Sequence, residues 1–121
     1  MTDLPLAVEL CPAPDVESAL LRFAAQPHSL LFDSALHDPR LGRYSFLTAD
    51  PFELLTVPAD GSDGLSLVES RLETWQSTTR SDLPPFQGGA AGLLSYDLAR
   101  SLERVPLGKF DEFQIPAMAI S

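Results

Sequence analysis

The side chains that could carry chemistry in this 121-residue chain include two histidines and the serine of Asp33-Ser34. His28 and His37 lie nine residues apart, and no cysteine or histidine stands near them at metal-ligand spacing. Surface or capping roles are therefore favoured over metal binding. Asp33-Ser34 beside either histidine does not have the pattern of a hydrolase, because no nucleophile-elbow glycines surround Ser34.

The glycine-rich stretch Pro84–Arg100 is the most distinctive part of the sequence. No Lys-Ser or Lys-Thr follows its glycines, so they do not form a phosphate-binding loop. Small residues within an apolar run predict a central, closely covered strand over 89–96, where another backbone approaches. Tyr96-Asp97 could act in acid–base chemistry, but Asp97 is more simply interpreted as the N-cap of a short helix. The residues by themselves thus predict no active site.

Length and composition predict a single globular domain. Hydrophobic residues make up 45% of the chain and charged residues 21%, which allows an ordinary buried core. The net charge of −9 disfavours binding to nucleic acids and anionic membranes. Cys11 has no second cysteine to pair with, and neither a secretory signal nor an apolar run of about 20 residues is present. We therefore expect a cytoplasmic protein.

Hydrophobic periodicity predicts two helices, one from the N-cap Asp15 to about Ala25 and a longer one over Leu65–Thr78. The continuous apolar centre of His28–Ala35 predicts a central strand. Strands are predicted in the segments Leu4–Leu10, His28–Ala35, Arg43–Thr48, Phe52–Val57, 89–96 and Ile115–Ser121. Because the last of these is strand-like with no following turn, we expect the chain to be a fragment or the first half of a longer polypeptide.

Two motifs together resemble the N-terminal region of chorismate-utilising component I enzymes. The first is Leu31–Ala35, an eight-residue spacer and then Tyr44–Leu47, with Arg43 before this last segment and Asp50-Pro51 after it. The second is Pro85–Asp97, which follows at the appropriate distance of about fifty residues. This family includes aminodeoxychorismate synthase component I and anthranilate synthase component I, and the resemblance extends over about residues 4–121.

The resemblance implies an α+β fold, a mainly antiparallel sheet with two or three helices, over residues 1–121. It also implies that this domain packs against a larger chorismate-binding domain, which lies beyond position 121 and contains the Mg²⁺ ligands and the catalytic residues. The domain itself would need no cofactor and would be inactive alone. The implied partners are that catalytic domain and a glutamine amidotransferase subunit or domain.

The resemblance further implies part of a tryptophan pocket, at Ser34 and at Gly42, Arg43, Tyr44 and Ser45. A hydroxyl and backbone amides can hold the carboxylate of an amino acid, and an aromatic wall such as Tyr44 can cover an indole. The alternative is that Arg43 and Tyr44 simply pack and pair at the domain surface.

The choice within the family depends on Leu31-Phe32-Asp33-Ser34, where feedback-inhibited anthranilate synthases usually have Leu-Leu-Glu-Ser. The form with Asp33 resembles the aminodeoxychorismate branch, which makes the precursor of p-aminobenzoate in folate biosynthesis. Anthranilate synthase component I, in tryptophan biosynthesis, is the alternative within the enzyme class. A stand-alone tryptophan-sensing binding module is the alternative from a different class.

Overall fold

The fold of residues 6–121 is described by a computed structural model. These residues form helices and antiparallel sheets, so the predicted α+β class is confirmed. The elements in chain order are α1 (Val16–Phe23), β1 (Leu30–Phe32), β2 (Phe46–Thr48), β3 (Leu55–Val57), α2 (Gly64–Thr74), β4 (Gly92–Leu94), a 3₁₀ helix (Tyr96–Ser101) and β5 (Met118–Ile120). Among the described residues, no helix has the length and apolar character needed to cross a membrane.

The described residues divide into two compact units. The first unit comprises 6–51 and Ser77–Gly88, and it contains α1, β1 and β2. The second comprises Phe52–Gln76 and Gly89–Ser121, and it contains the remaining elements.

Helix α1 begins where the sequence predicts, because Asp15 caps it. The Asp15 carboxylate accepts hydrogen bonds from the backbone N–H of Ser18, at 2.9 Å, and from its hydroxyl, at 2.7 Å. These two bonds favour the charged form and lower the pKa of Asp15. The helix ends at Phe23, two residues before the predicted end, and the hydroxyl of Ser29 then donates to the Phe23 carbonyl.

The sheet of the first unit consists of β1 and β2, paired antiparallel with Leu31 opposite Leu47. The prediction of a central strand over His28–Ala35 is therefore wrong, because β1 has one neighbour in this sheet. The predicted strand Leu4–Leu10 is also wrong over residues 6–10, which are irregular and exposed, with Leu6 94% accessible. The rest of that segment lies outside the described residues.

The second unit is built around β5. This strand lies between β3 and β4 in an antiparallel sheet, and Ile120 is paired with Leu55 on one side and with Gly92 on the other. The core consists of the buried side chains Val57, Leu98, Ala117, Met118 and Ile120. Three of these five come from the last segment of the chain.

Helix α2 packs against this core at its first turn. Asp63 caps the helix by accepting a hydrogen bond from the Ser66 N–H at 3.1 Å. A side chain at Gly64 would lie 3.1 Å from the Met118 methyl group, so glycine allows the helix to start directly over the core. The helix ends at Thr74 rather than at the predicted Thr78.

Two predictions for the glycine-rich stretch are wrong. Strand β4 is an exposed edge strand of three residues rather than a covered central strand, because β5 takes the central position. Asp97 is not an N-cap: it lies inside the 3₁₀ helix, and its carboxylate forms an ion pair with Arg100 at 2.9 Å.

Candidate functional site

The predicted amino-acid site lies at the end of the β1–β2 pair where the loop of residues 33–45 connects the two strands. Ser34 follows β1 by two residues and Ser45 directly precedes β2. Because the two strands are antiparallel, the residues after β1 face the residues before β2. Local sheet pairing therefore explains why Ser34, Tyr44 and Ser45 meet.

A network of hydrogen bonds joins these residues. The Ser34 N–H donates to Ser45 Oγ at 3.0 Å, and the Ser45 hydroxyl donates to Asp33 Oδ1 at 2.8 Å. The Ser34 hydroxyl, which is partly buried, donates to the backbone carbonyl of Tyr44. Ser34 thus commits both its amide and its hydroxyl hydrogen to its own loop, and an anionic ligand would have to displace the Ser45 hydroxyl to reach that amide.

Aromatic side chains form one wall beside this network. The Arg43 guanidinium lies 4.9 Å from the centre of the Tyr44 ring, a cation–π distance. The Tyr44 ring lies 6.1 Å from that of Phe46, and Phe46 contacts Phe86 edge-to-face at 5.7 Å. These distances are typical of aromatic pairs, and such a wall can cover an apolar ring.

Gly42 is the fifth predicted residue, and its contacts are with the loop itself. Its N–H donates to the Asp38 carbonyl at 3.1 Å, and a Cβ at this position would collide with the Leu36 carbonyl oxygen. The Asp38 carboxylate accepts the N–H groups of Leu41 and Arg40, both at 2.8 Å. These bonds to Leu41 and Arg40 lower the pKa of Asp38 and hold the loop in shape.

Three residues of this surface are absent from the sequence-based site: Asp33, Phe46 and Phe86. Asp33 and Phe46 could have been added from their places next to Ser34 and Ser45 at the strand ends. Phe86 could not, since it comes from a distant loop. That loop is held by Gln87, whose side chain accepts from the Arg80 N–H at 2.8 Å and donates to the Arg80 carbonyl at 2.7 Å.

The chemistry available here is that of binding: a carboxylate at Asp33, two hydroxyls, and a cation stacked on an aromatic wall. Within residues 6–121, no three His, Cys, Asp or Glu side chains converge in a way that could hold a metal ion.

Comparison with known proteins found relatives among the component 1 proteins of two synthases. The chain is 32% identical to aminodeoxychorismate synthase component 1 of Bacillus subtilis over 76% of its length, and 35% identical to that of Streptomyces lividans over 74%. It is 32% identical to anthranilate synthase component 1 of Mycobacterium tuberculosis over 85% of its length. The chain covers 22–23% of these relatives' own length. No family model and no solved structure matches it.

Proposed function

Since this chain is related in sequence to component 1 of two chorismate-utilising synthases, we propose that it is the N-terminal, non-catalytic domain of an aminodeoxychorismate synthase component I. The complete enzyme would replace the C4 hydroxyl of chorismate with an amino group, using ammonia from a glutamine amidotransferase partner. The product, 4-amino-4-deoxychorismate, leads to p-aminobenzoate and folate. The magnesium site and the chorismate-handling residues belong, in this proposal, to the part of the relatives that the chain does not match.

The observation that carries the proposal is the identity of 32–35% to aminodeoxychorismate synthase components over about three quarters of the chain. Asp33 favours this branch over the anthranilate branch, because feedback-inhibited anthranilate synthases usually have the longer glutamate at the matching position of the motif. In this chain the short carboxylate reaches Ser45 Oγ at 2.8 Å and so belongs to the loop network.

Anthranilate synthase component I is the second candidate, supported by the mycobacterial relative. The two reactions differ in their products: 4-amino-4-deoxychorismate keeps the enolpyruvyl side chain, whereas anthranilate is an aromatic amine without it. A stand-alone tryptophan-sensing module is the candidate outside the enzyme class. It would bind the amino acid without consuming chorismate.

The test uses the protein made from the complete reading frame, with chorismate, Mg²⁺ and ammonia, followed by mass spectrometry and a pyruvate assay. We expect 4-amino-4-deoxychorismate without release of pyruvate. Formation of anthranilate together with pyruvate would assign the protein to the other branch. Unchanged chorismate, with intact tryptophan binding, would support the sensing module.

We also propose that the network around Ser34, with Gly42, Arg43, Tyr44 and Ser45, forms part of an amino-acid site that accepts tryptophan. Displacement of the Ser45 hydroxyl would free the Ser34 N–H for the carboxylate of an amino acid, and the aromatic wall supplies the apolar face that an indole requires. Calorimetric titration of the complete protein with tryptophan tests this. Ser34→Ala and Tyr44→Ala should weaken binding about tenfold or more, whereas Ser70→Ala and Tyr96→Ala, on the surface of the second unit, should not. Equal affinity in all four variants would reject the site.

The cytoplasmic location also stays a prediction.

A further inference from the structure

The backbone amide of Ser34, which the proposed site would offer to the carboxylate of an amino acid, already has a partner within the chain. Its N–H donates to Ser45 Oγ at 3.0 Å. Ser45 is exposed, so this bond lies at the surface, where a ligand can compete for it. The chain thus places one of its own hydroxyls where the ligand carboxylate would bind.

Asp33 fixes the orientation of that hydroxyl. A serine hydroxyl has a single hydrogen to donate, and the hydroxyl of Ser45 donates its hydrogen to Asp33 Oδ1 at 2.8 Å. Ser45 Oγ can therefore act only as an acceptor toward the Ser34 N–H. Because hydrogen bonds to a charged carboxylate are stronger than those between neutral groups, Asp33 stabilises this orientation.

The charge of Asp33 also opposes an incoming carboxylate. Asp33 follows β1 directly and precedes Ser34, so its negative charge lies beside the amide that the ligand has to reach. Among the described residues, no lysine or arginine forms an ion pair with Asp33. A ligand carboxylate at the Ser34 N–H would therefore be repelled by a like charge.

On the basis of the proposed amino-acid site, we propose that Asp33 and Ser45 form a latch that closes this site and sets its affinity for ligands with a carboxylate. In the closed form Ser45 Oγ accepts the Ser34 N–H. In the open form the Ser45 hydroxyl has turned away and the ligand carboxylate accepts that N–H instead. Since only the open form binds, the apparent Kd is the intrinsic Kd divided by the open fraction, and a stable latch weakens binding.

The experiment is calorimetric titration with tryptophan of the protein made from the complete reading frame and of its Ser45→Ala variant. Loss of the hydroxyl frees the Ser34 N–H, so we expect Ser45→Ala to bind tryptophan about tenfold more tightly or better. Ser66→Ala is the matched control, because the exposed Ser66 hydroxyl also donates to a carboxylate, that of Asp63, at 2.7 Å in the second unit. Its affinity should equal that of the unsubstituted protein.

Two further measurements distinguish a latch from a general loosening of the loop. Tryptophanamide has the indole and the ammonium group of tryptophan but no carboxylate, so its affinity should rise much less in Ser45→Ala. Asp33→Asn keeps an acceptor for the Ser45 hydroxyl but removes the charge, so it should also tighten the binding of tryptophan. The Ser34 amide should stay protected against hydrogen exchange in Asp33→Asn and lose protection in Ser45→Ala.

Unchanged or weaker binding of tryptophan in both Ser45→Ala and Asp33→Asn would overturn the latch and keep the amino-acid site. An equal gain for tryptophan and tryptophanamide would also overturn it, because the loop would then have loosened for any ligand. Absence of tryptophan binding in all these proteins would reject the amino-acid site and the latch together. Failure of the proposed enzymatic function is seen separately, as unchanged chorismate in the product assay.

Discussion

A side chain at Gly92 would meet the backbone of the central strand of the second unit, so Gly92→Ala is the sharpest test of that unit. Gly92 pairs with Ile120 across β4 and β5. A Cβ here would collide with the Ala119 carbonyl oxygen and lie 2.9 Å from the Ile120 Cα. Both neighbours are backbone atoms of the central strand, so they cannot turn aside as a flexible side chain would.

Relief of this collision requires β4 to move away from β5, which strains or breaks the backbone bonds that continue the ladder. One of these joins the Ala91 N–H to the Ser121 carbonyl at 2.9 Å. Overpacking within a well-packed region costs about 1–3 kcal/mol, and we expect the upper end because the contact is with backbone. A loss of about 3 kcal/mol corresponds to a fall in Tm of roughly 10–15 °C for a chain of this size.

The assay is urea and thermal unfolding of Gly92→Ala and of Gly108→Ala as a matched control. A Cβ at Gly108 would lie 3.5 Å from the Phe110 carbonyl oxygen, which is an ordinary contact. We expect the control to unfold within about 0.5 kcal/mol of the unsubstituted chain. If the two variants have the same free energy of unfolding, the close approach of β4 to β5 is not as described.

Two further predictions concern the first unit. The pKa of Asp38 is lowered by the N–H groups of Leu41 and Arg40, so its contribution to loop stability is complete above its ordinary pKa of about 3.9 and lost as the pH falls through the lower folded value. The protection of the Leu41 amide against hydrogen exchange, measured relative to the intrinsic exchange rate at each pH, should therefore fall at acid pH, and this dependence should disappear in Asp38→Asn. Gln87→Glu should destabilise the chain by about 1–3 kcal/mol, because the new carboxylate faces the Arg80 and Pro84 carbonyls to which the amide donates; Gln76→Glu, an exposed surface change, is the control, and equal urea midpoints would contradict the loop-holding role of Gln87.

Local rules predicted the features that depend on a few neighbouring residues. Asp15 as an N-cap needs a carboxylate before a helical stripe, and the bond to the Ser18 N–H follows. The start of α2 and the apolar segment that becomes β5 were predicted for similar reasons, since periodicity and composition act within one element.

Features that depend on long-range pairing could not be predicted in the same way. The continuous apolar centre of β1 is typical of a central strand, yet β1 pairs with β2 alone in its sheet. Gly92 of β4 does mark a close backbone approach, but at a sheet edge, because the order β3-β5-β4 depends on where β5 pairs. Aspartate is a residue type that often caps helices, but the Asp97 carboxylate instead forms an ion pair with Arg100, three residues later.

In the candidate site, too, the local features could be predicted from the sequence and the long-range contact could not. Ser34, Tyr44 and Ser45 were grouped from the motif resemblance alone, and they meet because two strands pair locally. Phe86 belongs to the same aromatic wall, but it is forty residues away from Phe46 in the sequence. Its position depends on the bonds of Gln87 to Arg80, which no periodicity reports.

Because β5 is the central strand of its sheet and the last to be synthesised, the second unit cannot complete its core until late in translation. Strand β3 is translated about sixty residues before the strand with which it pairs, which at 5–20 residues per second is a delay of roughly 3–12 s. During that interval Val57 of β3 and Val68 of α2 lack Met118 and Ile120, the core side chains that β5 supplies. The nascent second unit therefore presents apolar surface to chaperones until β5 emerges, whereas β2 follows β1 by only about sixteen residues, a delay of roughly 1–3 s.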